Sequence, residues 1–265
     1  MSKQLLISGH QGYIGSYFCK ILKKKKIKFT KFNFKKKPKN TLKFTHFFHF
    51  DFKIKNSLNS LNRNKIRMME IVEICSRNNI KLIFPSTSTY KYNKHNKRIS
   101  KEIFSINEYS KSKIQCEKKI LEYNKTKELD FFIFRIFNVY GGNLNNRGVV
   151  ASLTRKIKLK KKISLKHSAN IRDFIHIEDL CELFCKCLRV KKSGTFEVGS
   201  GNVISIKKLA LEIQKKLNTN SKIIYLKPYK SKINYFSKSY INLTKKIFSW
   251  SPRIRLVTGL KRIDC

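Results

Sequence analysis

Apolar residues fall into short runs separated by glycine, proline and basic loops. The first, Gln4-Leu5-Leu6-Ile7-Ser8, breaks at Gly9 and suits a strand buried on both faces. Tyr13, Ile14, Phe18 and Ile21-Leu22 follow at helical spacing. Residues 27–34 read as a second strand, before a basic loop around Pro38, and 43–52 are aromatic and extended. Ile66, Met69 and Val72 mark a helix over 65–76, and Ile80 to Phe84 a strand stopped by Pro85. A helix over 107–124 and a buried strand over 131–139, ending at Gly141-Gly142, complete the alternation.

Alternating strands and helices imply an α/β fold with a parallel sheet covered on both faces. Beyond residue 142 the pattern loosens into helices near 149–159, 177–188, 205–217 and 241–248, with short strands near 163–165, 195–198 and 223–226. No repeat and no Gly/Ser/Pro linker divides the chain. The expected organisation is a nucleotide-binding domain over 1–142 and a small α/β cap over 143–265, with about 171–200 returning to the core.

Charge changes the picture little. The formal net charge is +44, from 60 Lys plus Arg against 16 Asp plus Glu. Such a field draws polyanions and raises nucleic-acid binding as a function. Yet the lysines run the whole length, and Lys, Ile, Asn and Phe are over-used together, the pattern of A/T-rich codons. A dedicated nucleic-acid site would concentrate the charge on one element, so nucleic acid is not the expected partner. Seven cysteines without framework spacing argue against a disulfide scaffold. Cys181, Cys185 and Cys187 lack zinc spacing and read as small apolar residues, so no metal is expected. The opening apolar run is too short for a leader, and no stretch reaches membrane-span length, so a cytoplasmic location is expected.

The candidate chemistry begins at Gly9-His10-Gln11-Gly12-Tyr13-Ile14-Gly15, where three of only ten glycines sit between the first strand and its helix. Such a turn lets the backbone approach a diphosphate, and the helix N-terminus offers it unpaired N–H groups. Gly9, Gln11, Gly12, Tyr13, Ile14 and Gly15 are the expected dinucleotide cradle on a Rossmann-type sheet. The acidic residue that holds adenosine ribose hydroxyls should fall near Phe32-Asn33-Phe34, and none is there. Lys35, Lys36 and Lys37 follow, which leans from NAD toward NADP.

Tyr109 and Lys113 stand at i and i+4, on one helical face about 6 Å apart along the axis. Removing a hydride from a carbinol carbon requires removal of its hydroxyl proton. A Tyr made acidic by an ammonium and a positive nicotinamide can take that proton. Ser86, Thr87, Ser88 and Thr89 supply hydroxyls at the C-terminal end of a predicted strand, where ligands bind in open α/β sheets.

In this order the motifs resemble the NAD-dependent epimerase/dehydratase family, the extended short-chain dehydrogenases acting on nucleotide sugars. Four further segments carry the likeness: Phe134 to Gly141, Ile171-Arg172-Asp173-Phe174-Ile175-His176-Ile177-Glu178-Asp179-Leu180, Phe196 to Gly201, and Trp250-Ser251-Pro252. The resemblance implies catalytic roles for Thr87, Tyr109 and Lys113, with Lys113 on the nicotinamide ribose. It also implies His49 near the cofactor, Asn138 and Arg172 on the substrate, and a homodimer through the helices at 65–78 and 107–124. It implies an epimerase or oxidoreductase of a nucleotide-sugar carbon, or a keto-sugar reductase using NADPH. Dehydration is disfavoured, because no carboxylate follows Thr87.

Three departures stand out. The stretch from Gly15 to Thr87 is short, as if one strand and its crossover helix were lost. Asp51 stands where the family has a small residue close to the cofactor, and Lys91 and Glu197 replace the family's Tyr and Asn. They leave open an inactive Rossmann protein that binds nucleic acid or a partner.

Overall fold

The computed structural model describes residues 4–36, 38, 41, 43–53, 58–88, 108–127, 129–142, 148–159, 162–226 and 236–262. Lys91, one of the departures, lies outside them. In chain order the first elements are β1 (Leu5–Ser8), α1 (Tyr13–Lys24), β2 (Phe29–Lys31), β3 (His46–His49), α2 (Leu58–Arg77), β4 (Lys81–Thr87), α3 (Glu108–Lys127) and β5 (Phe131–Ile136). There follow β6 (Asn138–Tyr140), α4 (Val149–Leu159), β7 (Lys162–Lys166), β8 (Ile171–His176), α5 (Ile177–Cys187) and β9 (Gly194–Val198). The last are β10 (Val203–Ser205), α6 (Ile206–Leu217), β11 (Lys222–Leu226), β12 (Phe236–Ser237), α7 (Asn242–Phe248) and α8 (Leu256–Lys261). The chain divides into two compact units. One takes the described residues of Met1–Tyr90, Ile103–Ile136 and Cys185–Phe196, the other those of Lys91–Glu102, Phe137–Phe184 and Glu197–Cys265.

The first unit is built on a six-stranded sheet in the order β2-β1-β3-β4-β5-β9, in which β1/β2, β1/β3, β3/β4 and β4/β5 pair in parallel. Leu5, Leu6 and Ile7 are fully buried because β1 has a strand on each side and helices over both faces. Gly15, Phe18, Cys19 and Leu22 form the buried stripe of α1, with Phe18 and Phe48 rings 4.7 Å apart. Phe47, Met68, Ile71, Val72, Phe84, Cys116 and Ile120 belong to one core cluster drawn from the sheet, α2 and α3. Each such side chain contributes about 1.5–3 kcal/mol of burial.

Between β2 and β3 no helix intervenes among the described residues, and β3 pairs directly with β1. This is the shortened sheet expected from the spacing, with β2 left at the edge.

Two expectations need correction. Pro85 does not stop its strand, because β4 runs on to Thr87. Lys81 donates its backbone N–H toward β3, to Thr45, whereas Leu82 donates toward β5, to Asp130. Odd residues therefore face β3, whose pairing with β4 ends at Ile83. Pro85 lacks an N–H where no neighbour needs one. The helix expected from residue 65 begins at Leu58. Its first turns are polar and are tied down by charge: Arg63 and Arg67 both pair with Asp51.

In the second unit β8 pairs with β10 (antiparallel), β12 and β6 (both parallel), while β7 and β11 form a separate parallel pair. Val150, Leu153, Ile157, Leu209, Ala210 and Ile213 make a core between α4 and α6. Ser205 caps α6, its Oγ accepting from Lys208 N at 3.1 Å.

Candidate functional site

The glycine loop follows β1 and leads into α1. Gly9 has φ +67°, and a Cβ there would strike the backbone of Asp51; one at Gly15 would strike the Gly9 carbonyl. Gly12 caps α1 with no side-chain bond, and its N–H donates to Gly9 O at 2.9 Å. The loop is thus a tight turn at a helix N-terminus, with glycine at its points of close backbone approach, the shape that suits a diphosphate. Gln11 is exposed, and Tyr13 and Ile14 open the helix half-buried.

His49 ends β3, fully buried, with Nδ1 2.7 Å from Ser8 Oγ and Nε2 unpartnered among the described residues. Desolvation first, then the Lys113 and Arg67 charges, push its pKa down to about 3, so the ring is neutral. Past it, the Asp51 carboxylate accepts both Arg63 bonds at 3.1 Å and a further contact from Arg67. Arg67 also lies over the Phe34 ring, 4.1 Å from its centroid.

Thr87 is buried at the C-terminal end of β4. Helix α3 is fastened to this strand end by two bonds. Lys113 Nζ donates to Pro85 O at 2.5 Å, and Ser86 Oγ donates to Glu117, which Arg135 also grips at 2.6 Å. The Pro85 carbonyl points, like its missing N–H, to the side where pairing with β3 has ended, so it can accept the ammonium. Tyr109 lies one turn before Lys113, its ring centroid 5.9 Å from Nζ. Thr87, Tyr109 and Lys113 therefore belong to two elements tied together at the C-terminal end of an interior strand.

The expected acidification of Tyr109 by Lys113 is not what this geometry gives. The ammonium is turned onto Pro85, and burial pushes the Tyr109 phenol up to about 12. Burial also brings Lys113 down to about 7, against weaker upward pulls from Cys116 and Glu117. The residues that sequence reasoning passed over are Phe52, Glu117, Arg63 and Arg67. Phe52 carried a visible signal, as the last aromatic of the 43–52 stretch, directly before Lys53.

Asn138 and Arg172 lie in the second unit, where they line one cavity of about 190 Å³ with Val149, Val150 and Phe174. Asn138 Nδ2 donates to Asp173 O at 2.7 Å. The Asp173 carboxylate accepts from Ser200 N and Oγ, Gly201 N and Ser239 Oγ, folding the Gly199–Gly201 turn against β8. Asp179 takes Arg253 N and Ile254 N, and its carbonyl accepts from Trp250 Nε1 at 3.0 Å. Through these two acids β8 and the start of α5 hold the Gly199–Gly201 turn and the chain around Trp250.

The six described cysteines form no disulfide, and Cys181 and Cys187 are fully buried. Among the described residues no three His, Cys, Asp or Glu side chains converge on a metal position, and no helix is long and apolar enough to cross a membrane.

The model of the NAD dependent epimerase/dehydratase family matches residues 48–199. The ADP-L-glycero-D-manno-heptose-6-epimerase of Brachyspira hyodysenteriae is 26% identical over 208 residues, covering 72% of this chain and 64% of that protein. The dTDP-4-dehydro-6-deoxyglucose reductase of Escherichia coli is 27% identical over 190 residues, covering 69% and 60%. The chain thus spans under two thirds of the length of both relatives. In fold it is similar to RMD from Pseudomonas aeruginosa, solved in complex with NADPH, with TM-score 0.83, 15% identity, and coverage of 98% of this chain and 97% of that one. With a family match over more than half its length, joined to this loop and helix pair, the chain belongs to the NAD-dependent epimerase/dehydratase family.

Proposed function

We propose that this chain is an NAD(P)-dependent epimerase or oxidoreductase acting on a sugar carbon of a nucleotide-linked sugar. The observation that carries the reading is the fastening of α3, with Tyr109 and Lys113, to the strand end that bears Thr87. Gly9, Gln11, Gly12, Tyr13, Ile14 and Gly15 would hold the dinucleotide diphosphate on the glycine turn, with His49 buried close by. When bound, the nicotinamide supplies hydride acceptance and return. Thr87 would share the reacting oxygen and Tyr109 would take or return its proton. Lys113 would stabilise the phenolate and bind the ribose. Arg172 would bind the substrate diphosphate through its guanidinium, and Asn138 would line the same cavity.

The second reading is a keto-sugar reductase using NADPH. It is favoured by Asn33 where an acid would select NAD, and by exposed Lys35 and Lys36 beyond it. A homodimer through α2 and α3 belongs to the same proposal, as Ile66 and Leu121 on these helices are 65% and 38% exposed. The domain split at 142 and a cytoplasmic location complete it.

The test is mass spectrometry of small molecules bound to the purified protein, followed by titration with NADH and NADPH. Co-purified NAD supports the epimerase, and empty protein that binds NADPH supports the reductase. Absence of dinucleotide binding overturns the proposal. Tyr109→Phe is expected to lower kcat by about 10²–10⁴-fold with little change in dinucleotide Kd.

A further inference from the structure

We propose that Phe52 is a positioning residue for the proton-transfer pair: its ring covers the Lys113 ammonium and keeps it turned onto the Pro85 carbonyl until a bound ligand displaces it. The proposal rests on the reading of Tyr109 and Lys113 as that pair.

The geometry around Lys113 is closed on every side the structure describes. Nζ lies 3.9 Å from the Phe52 ring centroid and 4.3 Å from that of Phe84. Of its three N–H donors one goes to Pro85 O, and aromatic faces occupy two of the remaining directions. Phe52 also meets Tyr109 edge-on, with centroids 5.5 Å apart. One ring therefore touches both members of the pair and separates the ammonium from solvent.

The backbone under this ring is anchored. Asp51 is held by Arg63 and Arg67, while Lys53 and Asn64 exchange two bonds, N to Oδ1 at 3.0 Å and Nδ2 to O at 3.1 Å. Both neighbours of Phe52 are thus fixed to α2. The ring can leave by rotating about its side-chain bonds without moving the chain, which makes it a cover and not a strut. Phe52 is half-buried, whereas Phe84 beneath Lys113 is fully buried, so the displaceable ring is Phe52.

The titratable groups facing Lys113 are Tyr109, Cys116 and Glu117 on its own helix and His49 on β3. Glu117 is committed to Ser86 and Arg135, and on α2 Arg63 and Arg67 are committed to Asp51. Burial, not a partner, sets the low affinity of Lys113 for its proton. Uncovering it should restore that affinity.

The experiment is site-resolved labelling of lysines with acetic anhydride across a pH series, read at Lys113 by peptide mass spectrometry. It uses full-length wild type, Phe52→Ala and Phe52→Leu, with circular dichroism to verify folding. In wild type, Lys113 should label far more slowly than surface lysines. Phe52→Ala should accelerate its labelling by about tenfold and move its titration midpoint upward from near 7, with Phe52→Leu between the two. NADH and NADPH should bind Phe52→Ala several-fold more tightly, because no ring must be displaced. Unchanged Lys113 labelling in both variants overturns the proposal, and increased labelling without tighter binding overturns the displacement step. Failure of wild type and both variants to bind either dinucleotide would instead remove the functional reading, whatever the labelling shows.

Discussion

A buried ammonium couples stability to pH, and Lys113 gives the coupling a definite sign. Its folded pKa of about 7 lies below the ordinary 10.5, so between these values the unfolded chain binds the extra proton. Its penalty on the folded state is full below pH 7 and is relieved as pH rises toward 10.5. Lys113→Met should therefore be most stabilised relative to wild type near pH 6.5. The gap should narrow on the alkaline side by up to about 1.4 kcal/mol per pH unit. Urea unfolding of both proteins at several pH values measures it, and a pH-independent gap would mean the ammonium is not desolvated. His49 acts in the same direction at lower pH. Its pKa of about 3 against the ordinary 6.5 costs stability as pH falls from 6.5 toward 3.

At the scale of elements, the chain is held by side chains that satisfy loose backbone ends. Lys81, almost wholly buried in β4, donates to the carbonyls of Val190, Lys191 and Lys192 at 3.1, 2.8 and 3.0 Å, tying down the connection that follows α5. Lys81→Met should lower stability by about 2–4 kcal/mol in denaturant unfolding, since it orphans three carbonyls at once. Gly15→Val should abolish dinucleotide binding in a calorimetric titration, because any Cβ there meets the Gly9 carbonyl. These elements differ in how far the sequence announced them. The glycine loop, the buried strands and the Tyr109–Lys113 turn follow from local spacing, which the fold preserves. Pro85 could not be read, because its fit depends on which neighbouring strand its missing N–H faces. The polar start of α2 was hidden for a related reason, since its support is ionic and comes from Asp51. The cover on Lys113 needs three elements to converge, and no periodicity encodes that.

For the whole molecule, sixty basic residues against sixteen acidic ones produce self-repulsion that salt should relieve. The thermal midpoint is expected to rise by several degrees between about 0.05 and about 0.3 M NaCl. Binding to random DNA, read by fluorescence anisotropy, should be strong at the lower salt and largely gone at the higher. Dinucleotide binding, seated on a neutral backbone cradle with two phosphates, should survive the same change. Retention of DNA at the higher salt would instead favour a dedicated nucleic-acid surface.

Among the described residues no strand or helix intervenes between β2 and β3, and β2 is the rim of the sheet. A rim strand carries backbone donors and acceptors with no neighbour, and invites another chain to grow on it. Here the rim is three residues long and exposes Thr30 and Lys31, with Lys28 beside it. Lysines that look like compositional surplus thus work as insulation, since two such rims repel each other before they can zip. Replacing Lys28, Thr30 and Lys31 by valine should turn the rim into a template, seen as thioflavin-positive fibres at concentrations where the natural chain stays dispersed.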